Sequence, residues 1–119
     1  MKRDMELIRN ILLLLENETS GWAPDSIEID GYTNEQIGYH TVLLIEAGLV
    51  VGEESEEMGS EPSGFIQRLT WAGHEFLDSA KDSGRWKEAK DIIEKVGGAS
   101  LKVWSSVLTQ LTLKSLGLS

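Results

Sequence analysis

Two histidines and a run of glutamates are the side chains with which this sequence could perform chemistry. His40 and His74 are the only histidines, and the chain has no cysteine. A zinc site would need carboxylates from distant positions as its remaining ligands, and no His-Glu-x-x-His spacing is present. The glutamates from Glu53 to Glu61 lack the alternating ligands and the glycine of a calcium-binding EF-hand loop. We therefore predict structural roles for both histidines and no metal ligands.

Motifs for catalysis are absent from the sequence. No Gly-x-Ser-x-Gly turn exposes a serine nucleophile. Gly97 and Gly98 precede a helix, but the lysine and further glycines of a phosphate-binding loop do not accompany them. We expect no catalytic residues and no cofactor, and therefore a protein that is not an enzyme.

Basic residues are missing from about half of the chain. Between Asn10 and Gln67 there is no lysine or arginine, although this stretch carries twelve carboxylates, and the whole chain has a formal charge of −9. Nucleic acids and anionic membrane surfaces attract proteins through lysine and arginine. The charge therefore argues against DNA and membrane partners and favours a protein partner with a basic surface.

The spacing of apolar residues predicts mainly helices. Repeats of three and four residues predict helices over 4–17, 34–47, 71–82, 86–96 and 100–116. Alternation of polar and apolar residues predicts strands over 26–30, from residue 49, and over 64–69. The polar segment between the last two strands makes them a β-hairpin with a long acidic loop.

Several residues indicate where the predicted helices begin and end. Thr33 and Gln36 have the spacing of a capping box at the start of the second helix. Gly48 is suited to end that helix, because glycine readily adopts the left-handed conformation found there. Thr70 is placed to cap the third helix, and Ser83 with Gly84 is expected to form a break before the fourth.

The order of helix, strand, helix, β-hairpin and further helices is typical of a winged helix, in which the hairpin is the wing. We predict an α+β protein with a winged-helix-like domain over 1–96. A C-terminal amphipathic helix over 97–119 follows the Gly97-Gly98 break as an extension. Trp71 and Trp86 are expected in the core, since large aromatic side chains contribute heavily to burial.

The C-terminal helix, about 100–116, carries one apolar stripe. Its members are Leu101, Trp104, Leu108 and Leu111. Such a stripe either docks on the same chain or pairs with a second copy as a homodimer. The amino terminus resembles an amphipathic helix more than an export signal, and no apolar run is long enough to cross a bilayer. With no cysteine, these features predict a cytoplasmic protein.

Two polar sets are the candidate contact surfaces of a winged helix. The predicted recognition helix offers Asn34, Gln36, Tyr39, His40 and Thr41. The predicted wing offers Glu53, Glu54, Glu56, Glu57 and Glu61. A wing that contacts phosphate needs basic residues, and this wing has none. The glutamates are therefore predicted to face a protein partner.

Three segments carry a resemblance to a known family. They are the opening Met-Lys-Arg-Asp-Met, the stretch from Tyr39 to Leu49, and the stretch from Arg68 to Asp78. Together they resemble domain-of-unknown-function family 2513, which comprises short uncharacterised bacterial proteins that are often associated with phages. The resemblance spans roughly residues 1–90. It implies a winged-helix-like fold and a prophage origin, and it implies no established activity.

These observations favour a non-enzymatic protein-interaction or regulatory module whose acidic wing faces a protein partner. The alternative is a winged-helix transcription regulator that reads DNA through residues of the helix 34–47. That alternative would require dimerisation, and it would require basic residues supplied by the segment 81–95.

Overall fold

A computed structural model of the chain describes residues 1–55 and 61–118. Its described part is an α+β fold of helices and one antiparallel β-hairpin. The elements are α1 (Met5–Glu16), α2 (Asn34–Glu46), β1 (Val50–Glu54), β2 (Gly64–Leu69), α3 (Trp71–Ala80), α4 (Ser83–Glu94) and α5 (Leu101–Ser115). This order confirms the predicted winged-helix-like arrangement with a C-terminal helix. Within the described residues, no helix combines the length and the apolar character needed to cross a membrane.

The chain divides into two compact units. Unit 1 is Met1–Glu75 and unit 2 is Phe76–Ser119. The sequence analysis places the boundary at Gly97-Gly98 instead. The physical reason for the difference is that α4 and α5 pack on each other, with the rings of Trp86 and Trp104 stacked 4.5 Å apart.

The sequence predicts both ends of α2, because local residues determine where this helix begins and ends. The Thr33 hydroxyl accepts the Gln36 N–H at 3.1 Å, and the Gln36 side chain accepts the Thr33 N–H at 2.8 Å. The predicted capping box is therefore confirmed. Gly48 follows α2 with φ +74°, the left-handed value that favours glycine.

The predicted break at Ser83-Gly84 is wrong, because α4 begins at Ser83. The Asp82 carboxylate accepts the Arg85 N–H at 2.9 Å and so caps the helix at its start. The residues expected to form a break are instead the first turn of α4.

The predicted strand over 26–30 is wrong as well, since these residues form a loop. Alternation is still present in their exposure: Ile27 and Ile29 are half-buried, whereas Glu28 and Asp30 are exposed. A single backbone hydrogen bond, from the Ala23 N–H to the Gln67 carbonyl at 2.8 Å, begins a pairing with β2. Among the described residues, this loop makes no further backbone hydrogen bond to β2.

The prediction that Trp71 lies in the core is wrong, whereas the prediction for Trp86 is confirmed. Trp71 is 81% exposed and Trp86 is 3% exposed. Gly73, two residues after Trp71, packs directly against the carbonyl of Leu49. Residues two apart lie on nearly opposite sides of a helix, so the contact of Gly73 directs Trp71 to solvent.

Candidate functional site

His40 links the start of α1 to α2 and is 1% exposed. The Asp4 backbone N–H donates to His40 Nε2 at 2.8 Å, and His40 Nδ1 lies 2.8 Å from the carbonyl of Gln36. Since Nε2 accepts a hydrogen bond, Nδ1 carries the proton and donates to that carbonyl. Both ring nitrogens are occupied, so His40 offers neither of them to a DNA base or to a metal.

The other polar residues of the predicted recognition helix differ in how accessible they are. Thr41 is buried, and its hydroxyl donates to the Ile37 carbonyl at 2.9 Å. The Gln36 side chain is held in the capping box described above. Asn34 is exposed, and Tyr39 is half-buried with its ring edge-on to His40 at 5.8 Å. Asn34 and Tyr39 are therefore the members of this set with groups still open to a partner.

We define the α2 outer face as Glu35, Tyr39 and Glu46. Spacings of four and seven residues place them on one side of the helix. Glu35 and Glu46 are exposed at its two ends, with the half-buried tyrosine between them. No lysine or arginine occurs in α2. This face can accept hydrogen bonds and attract positive charge, but it has no group that neutralises a phosphate.

The hairpin carries further exposed acidic residues. Glu53 and Glu54 are exposed at the end of β1, and Glu61 is exposed before β2. Glu56 and Glu57, also predicted to belong to the surface, lie outside the described residues. Glu53, Glu54, Glu61 and the α2 outer face are together called the acidic surface below.

Phe65 is an exposed aromatic residue that the sequence analysis did not select. It pairs across the hairpin with Glu53 and is 71% exposed. Successive residues of a strand point to opposite faces. Because the neighbouring Ile66 points inward, the alternation of β2 was the signal that could have identified Phe65 as exposed.

Basic residues in unit 1 are few. They are Lys2, Arg3, Arg9 and Arg68. The Arg9 side chain is nearly buried and lies 3.8 Å from the Glu6 carboxylate. Arg68 is exposed and donates to the Leu69 carbonyl at 3.0 Å. Against these four cations stand fifteen carboxylates, a formal charge of −11 for unit 1.

Unit 2 has the opposite balance, with seven basic residues and five carboxylates, a formal charge of +2. Its exposed cations do not form a uniform basic face. Lys87 and Lys95 on or next to α4 are interleaved with the exposed carboxylates Glu88, Asp91 and Glu94. Lys81 lies 3.6 Å from the Asp78 carboxylate. Mixed charges at helical spacing are typical of a solvated face.

The apolar stripe of α5 is largely covered by the chain itself. Trp104, Leu108 and Leu111 are buried, and Leu101 is half-buried. Trp104 stacks on Trp86 with an angle of 23° between the rings. In the structure, the stripe therefore packs on the same chain, mainly against α4.

His74 is exposed on α3, next to a groove of about 640 Å³ that Arg68 and Trp71 also line. Within residues 1–55 and 61–118, no three histidine or carboxylate side chains converge as metal ligands. The sequence has no cysteine to add to such a set.

Comparison with known proteins places this chain in a family. The model of the family described as "Hypothetical protein (DUF2513)" matches residues 2–100. An "Uncharacterized protein" of Haemophilus influenzae is 38% identical over 97 residues, which cover 79% of this chain and 80% of the relative. No solved structure matches. Since the family model covers most of the chain and the relative is similar over most of its length, the chain belongs to the DUF2513 family.

Proposed function

We propose that this protein is a non-enzymatic, cytoplasmic interaction module whose acidic surface binds a protein partner with a basic surface. The observation that carries the proposal is the formal charge of −11 on unit 1. The α2 outer face and the described glutamates of the hairpin contribute to it, and neither β1 nor α2 contains a lysine or arginine. The proposed prophage origin is supported by the phage association of the family that the sequence resembles.

A strongly acidic surface mainly changes how fast a partner associates and which partners bind. A surface of one sign raises the association rate with an oppositely charged partner and repels partners of like charge. Nucleic-acid-binding proteins of the host are one plausible class of basic partner. Binding through exposed charges weakens as salt is added, because salt screens them.

The competing proposal, a regulator that reads DNA, has less support. His40 and Thr41 are buried, and the exposed part of α2 carries carboxylates at both ends. A duplex-binding surface obtains much of its affinity by neutralising phosphates, and this helix has no group to do so.

Charge reversal on the hairpin tests the proposal. The tagged wild-type protein and the double variant Glu53→Lys/Glu54→Lys are used to capture proteins from a nuclease-treated bacterial lysate. We expect the double variant to lose the captured partner by about tenfold or more, since close opposite charges at an interface are strongly coupled.

The matched control is Glu88→Lys/Asp91→Lys on α4, which changes the net charge by the same amount in unit 2. This control is expected to retain the partner. Equal capture by the wild type and the hairpin variant would contradict the proposal, and so would equal losses in both double variants.

A further inference from the structure

The structure contains a groove beside β2 where the sequence predicts a third strand. Its volume is about 530 Å³. One side is the loop from Ala23 to Ile27, and the other is the segment from Gly64 to Ile66 of β2. Residues of α2, among them Ile37, also line it. The groove thus lies along the strand edge that the segment 26–30 leaves unpaired.

The hydrogen-bond pattern of the hairpin determines which backbone groups face this groove. The Ser55 N–H donates to the Ser63 carbonyl at 2.8 Å. In an antiparallel ladder, hydrogen-bonded and non-hydrogen-bonded pairs alternate. Glu53 and Phe65 are therefore a hydrogen-bonded pair, whereas Gly64 and Ile66 direct their N–H and C=O groups away from β1. These outward groups are called the β2 outer edge.

The β2 outer edge is open to a new strand only between Gly64 and Ile66. Within the described residues, the bond from the Ala23 N–H to the Gln67 carbonyl is the only backbone hydrogen bond to this side of β2 that the loop makes. Natural proteins usually protect a sheet edge with charges, prolines, bulges or a covering segment. Here β2 has a bulge at Gln67 and an exposed charge at Arg68, but both lie after Ile66. Between Gly64 and Ile66 the exposed side chain is Phe65.

The lining of the groove defines the chemistry of an occupant. Most of its side chains are apolar, including Ile27, Ile37 and Ile66. Asp25 is the single charged residue among them. An extended segment can place alternate side chains on such a lining while its backbone pairs with the edge. A lysine or arginine in that segment would be favoured by Asp25 and by the charge of unit 1.

We propose that the β2 outer edge receives an extended segment of a protein partner, with apolar side chains directed into the groove and a basic residue next to Asp25. The segment becomes the third strand of the sheet. This inference rests on the proposed function, because it specifies how the basic partner is held. The acidic surface attracts the partner, and the strand edge fixes the orientation and register of the bound segment.

The test uses a defined probe, the fluorescein-labelled heptapeptide Val-Thr-Val-Thr-Lys-Thr-Val, whose valines and lysine share one face of an extended strand, with the full-length protein. We expect saturable binding, together with slower hydrogen exchange of the Gly64 and Ile66 amides when the peptide is present. The same peptide N-methylated at residues two to six loses its backbone donors toward either edge and should bind about tenfold more weakly or worse. Equal binding of the two peptides, or no binding of the first, overturns the inference.

Charge is tested with two loop variants of equal net charge. Asp25→Lys removes the charge that lines the groove, whereas Asp30→Lys makes the same change in the same loop outside the lining. We expect Asp25→Lys to weaken the lysine peptide by about threefold to tenfold, and Asp30→Lys to change it by less than about twofold. Equal effects of the two variants overturn the assignment of the basic residue to Asp25.

Failure of the proposed function gives a different result. If the peptide binds as described while charge reversal at Glu53 and Glu54 leaves lysate capture unchanged, the edge binds segments but the acidic surface does not select the partner. If capture depends on those glutamates while the peptide does not bind, the acidic surface stands and the strand edge is wrong.

Discussion

At the scale of single residues, Thr70 and Gly73 fix the junction between the hairpin and α3. The Thr70 hydroxyl donates to the Gly48 carbonyl at 2.6 Å and accepts the Gly73 N–H at 2.9 Å. A Cβ added at Gly73 would lie 2.1 Å from the Leu49 carbonyl oxygen. The backbone of Leu49 approaches the helix so closely that only glycine fits at residue 73. Without this contact, alanine would favour the helix more than glycine does.

Gly73→Ala should destabilise the protein, although the substitution raises helix propensity. We expect a loss of about 2–3 kcal/mol in the free energy of unfolding, because a backbone carbonyl must move to admit the methyl group. Denaturant titration measures the change. The control is Gly84→Ala in the first turn of α4, where the nearest atom to an added Cβ is the Asp82 carboxylate at 3.3 Å. Gly84→Ala should be neutral or stabilising by about 0.5 kcal/mol.

The fold perturbs the ionisation of Tyr32. Burial is the largest cause, followed by the negative charge of Asp4 and a hydrogen bond with its side chain, and together they raise the pKa of the phenol above its ordinary value of 10.0. The folded state therefore favours the neutral phenol. The resulting stability is complete below the pKa of the unfolded chain and is lost as pH rises through the higher pKa of the folded protein.

The wild-type protein should consequently lose stability more steeply than Tyr32→Phe as the pH rises above about 10. Denaturant titrations over this range measure the two slopes. Parallel slopes for the wild type and Tyr32→Phe would show that Tyr32 is not the group responsible.

At the scale of elements, success in prediction depended on whether the determinants were local. The start of α2 was predicted because Thr33 and Gln36 satisfy each other within one turn. The segment 26–30 was predicted wrongly because alternation reports exposure but not pairing. Whether it pairs with β2 depends on a partner strand about forty residues away in the sequence, and periodicity contains no information about that strand.

The pairing of α4 with α5 was likewise left open by the sequence, since an apolar stripe does not identify what covers it. Trp86 and Trp104 are 3% and 5% exposed and stacked on each other. Offset stacking of aromatic rings adds to the stabilisation that burial alone provides. This pair is expected to dominate the stability of unit 2.

Trp104→Ala should reduce the free energy of unfolding by about 3–5 kcal/mol, because it leaves a large cavity beside Trp86. Near-ultraviolet circular dichroism, which responds to packed aromatic rings, is the measurement. Trp71→Ala is the matched control, since the same side chain is removed from an exposed position. We expect it to change stability by less than about 0.5 kcal/mol. Equal losses would contradict the packing of the Trp86–Trp104 pair.

At the scale of the whole molecule, the formal charge is divided unequally between the two units. Unit 1 carries −11 and unit 2 carries +2. The absence of lysine and arginine between Asn10 and Gln67 is visible in the sequence itself. The sequence also predicted that the basic residues of the segment 81–95 are interleaved with carboxylates, and the structure adds that most of these side chains are exposed.

The division of charge predicts no binding to random-sequence duplex DNA, even at about 50 mM salt, where phosphate contacts are strong. A fluorescence-anisotropy titration with a labelled duplex measures this. A lysine-rich peptide serves as the positive control for non-specific binding. Binding by the protein that collapses as salt is added would instead favour the regulator and reveal a basic face.

The candidate site could be predicted only in part, for a reason that His40 illustrates. Its position in a helix was predictable. One of its hydrogen bonds is to Gln36 in the same helix, but the other is to Asp4, which lies 36 positions away in the sequence. Likewise, the exposed edge beside Phe65 exists only because another segment fails to pair with it. A site that is formed by residues distant in sequence cannot be predicted until the fold is known.

The positions of the four tryptophans provide each unit with its own optical probe. Trp22 and Trp71 are exposed in unit 1, whereas Trp86 and Trp104 are buried in unit 2. Acrylamide, an uncharged quencher, should therefore quench mainly the fluorescence of unit 1 in the native protein. A shift of the emission to longer wavelength on unfolding should arise mainly from unit 2. One fluorescence experiment can thus follow the two units separately and determine whether they unfold together or in sequence.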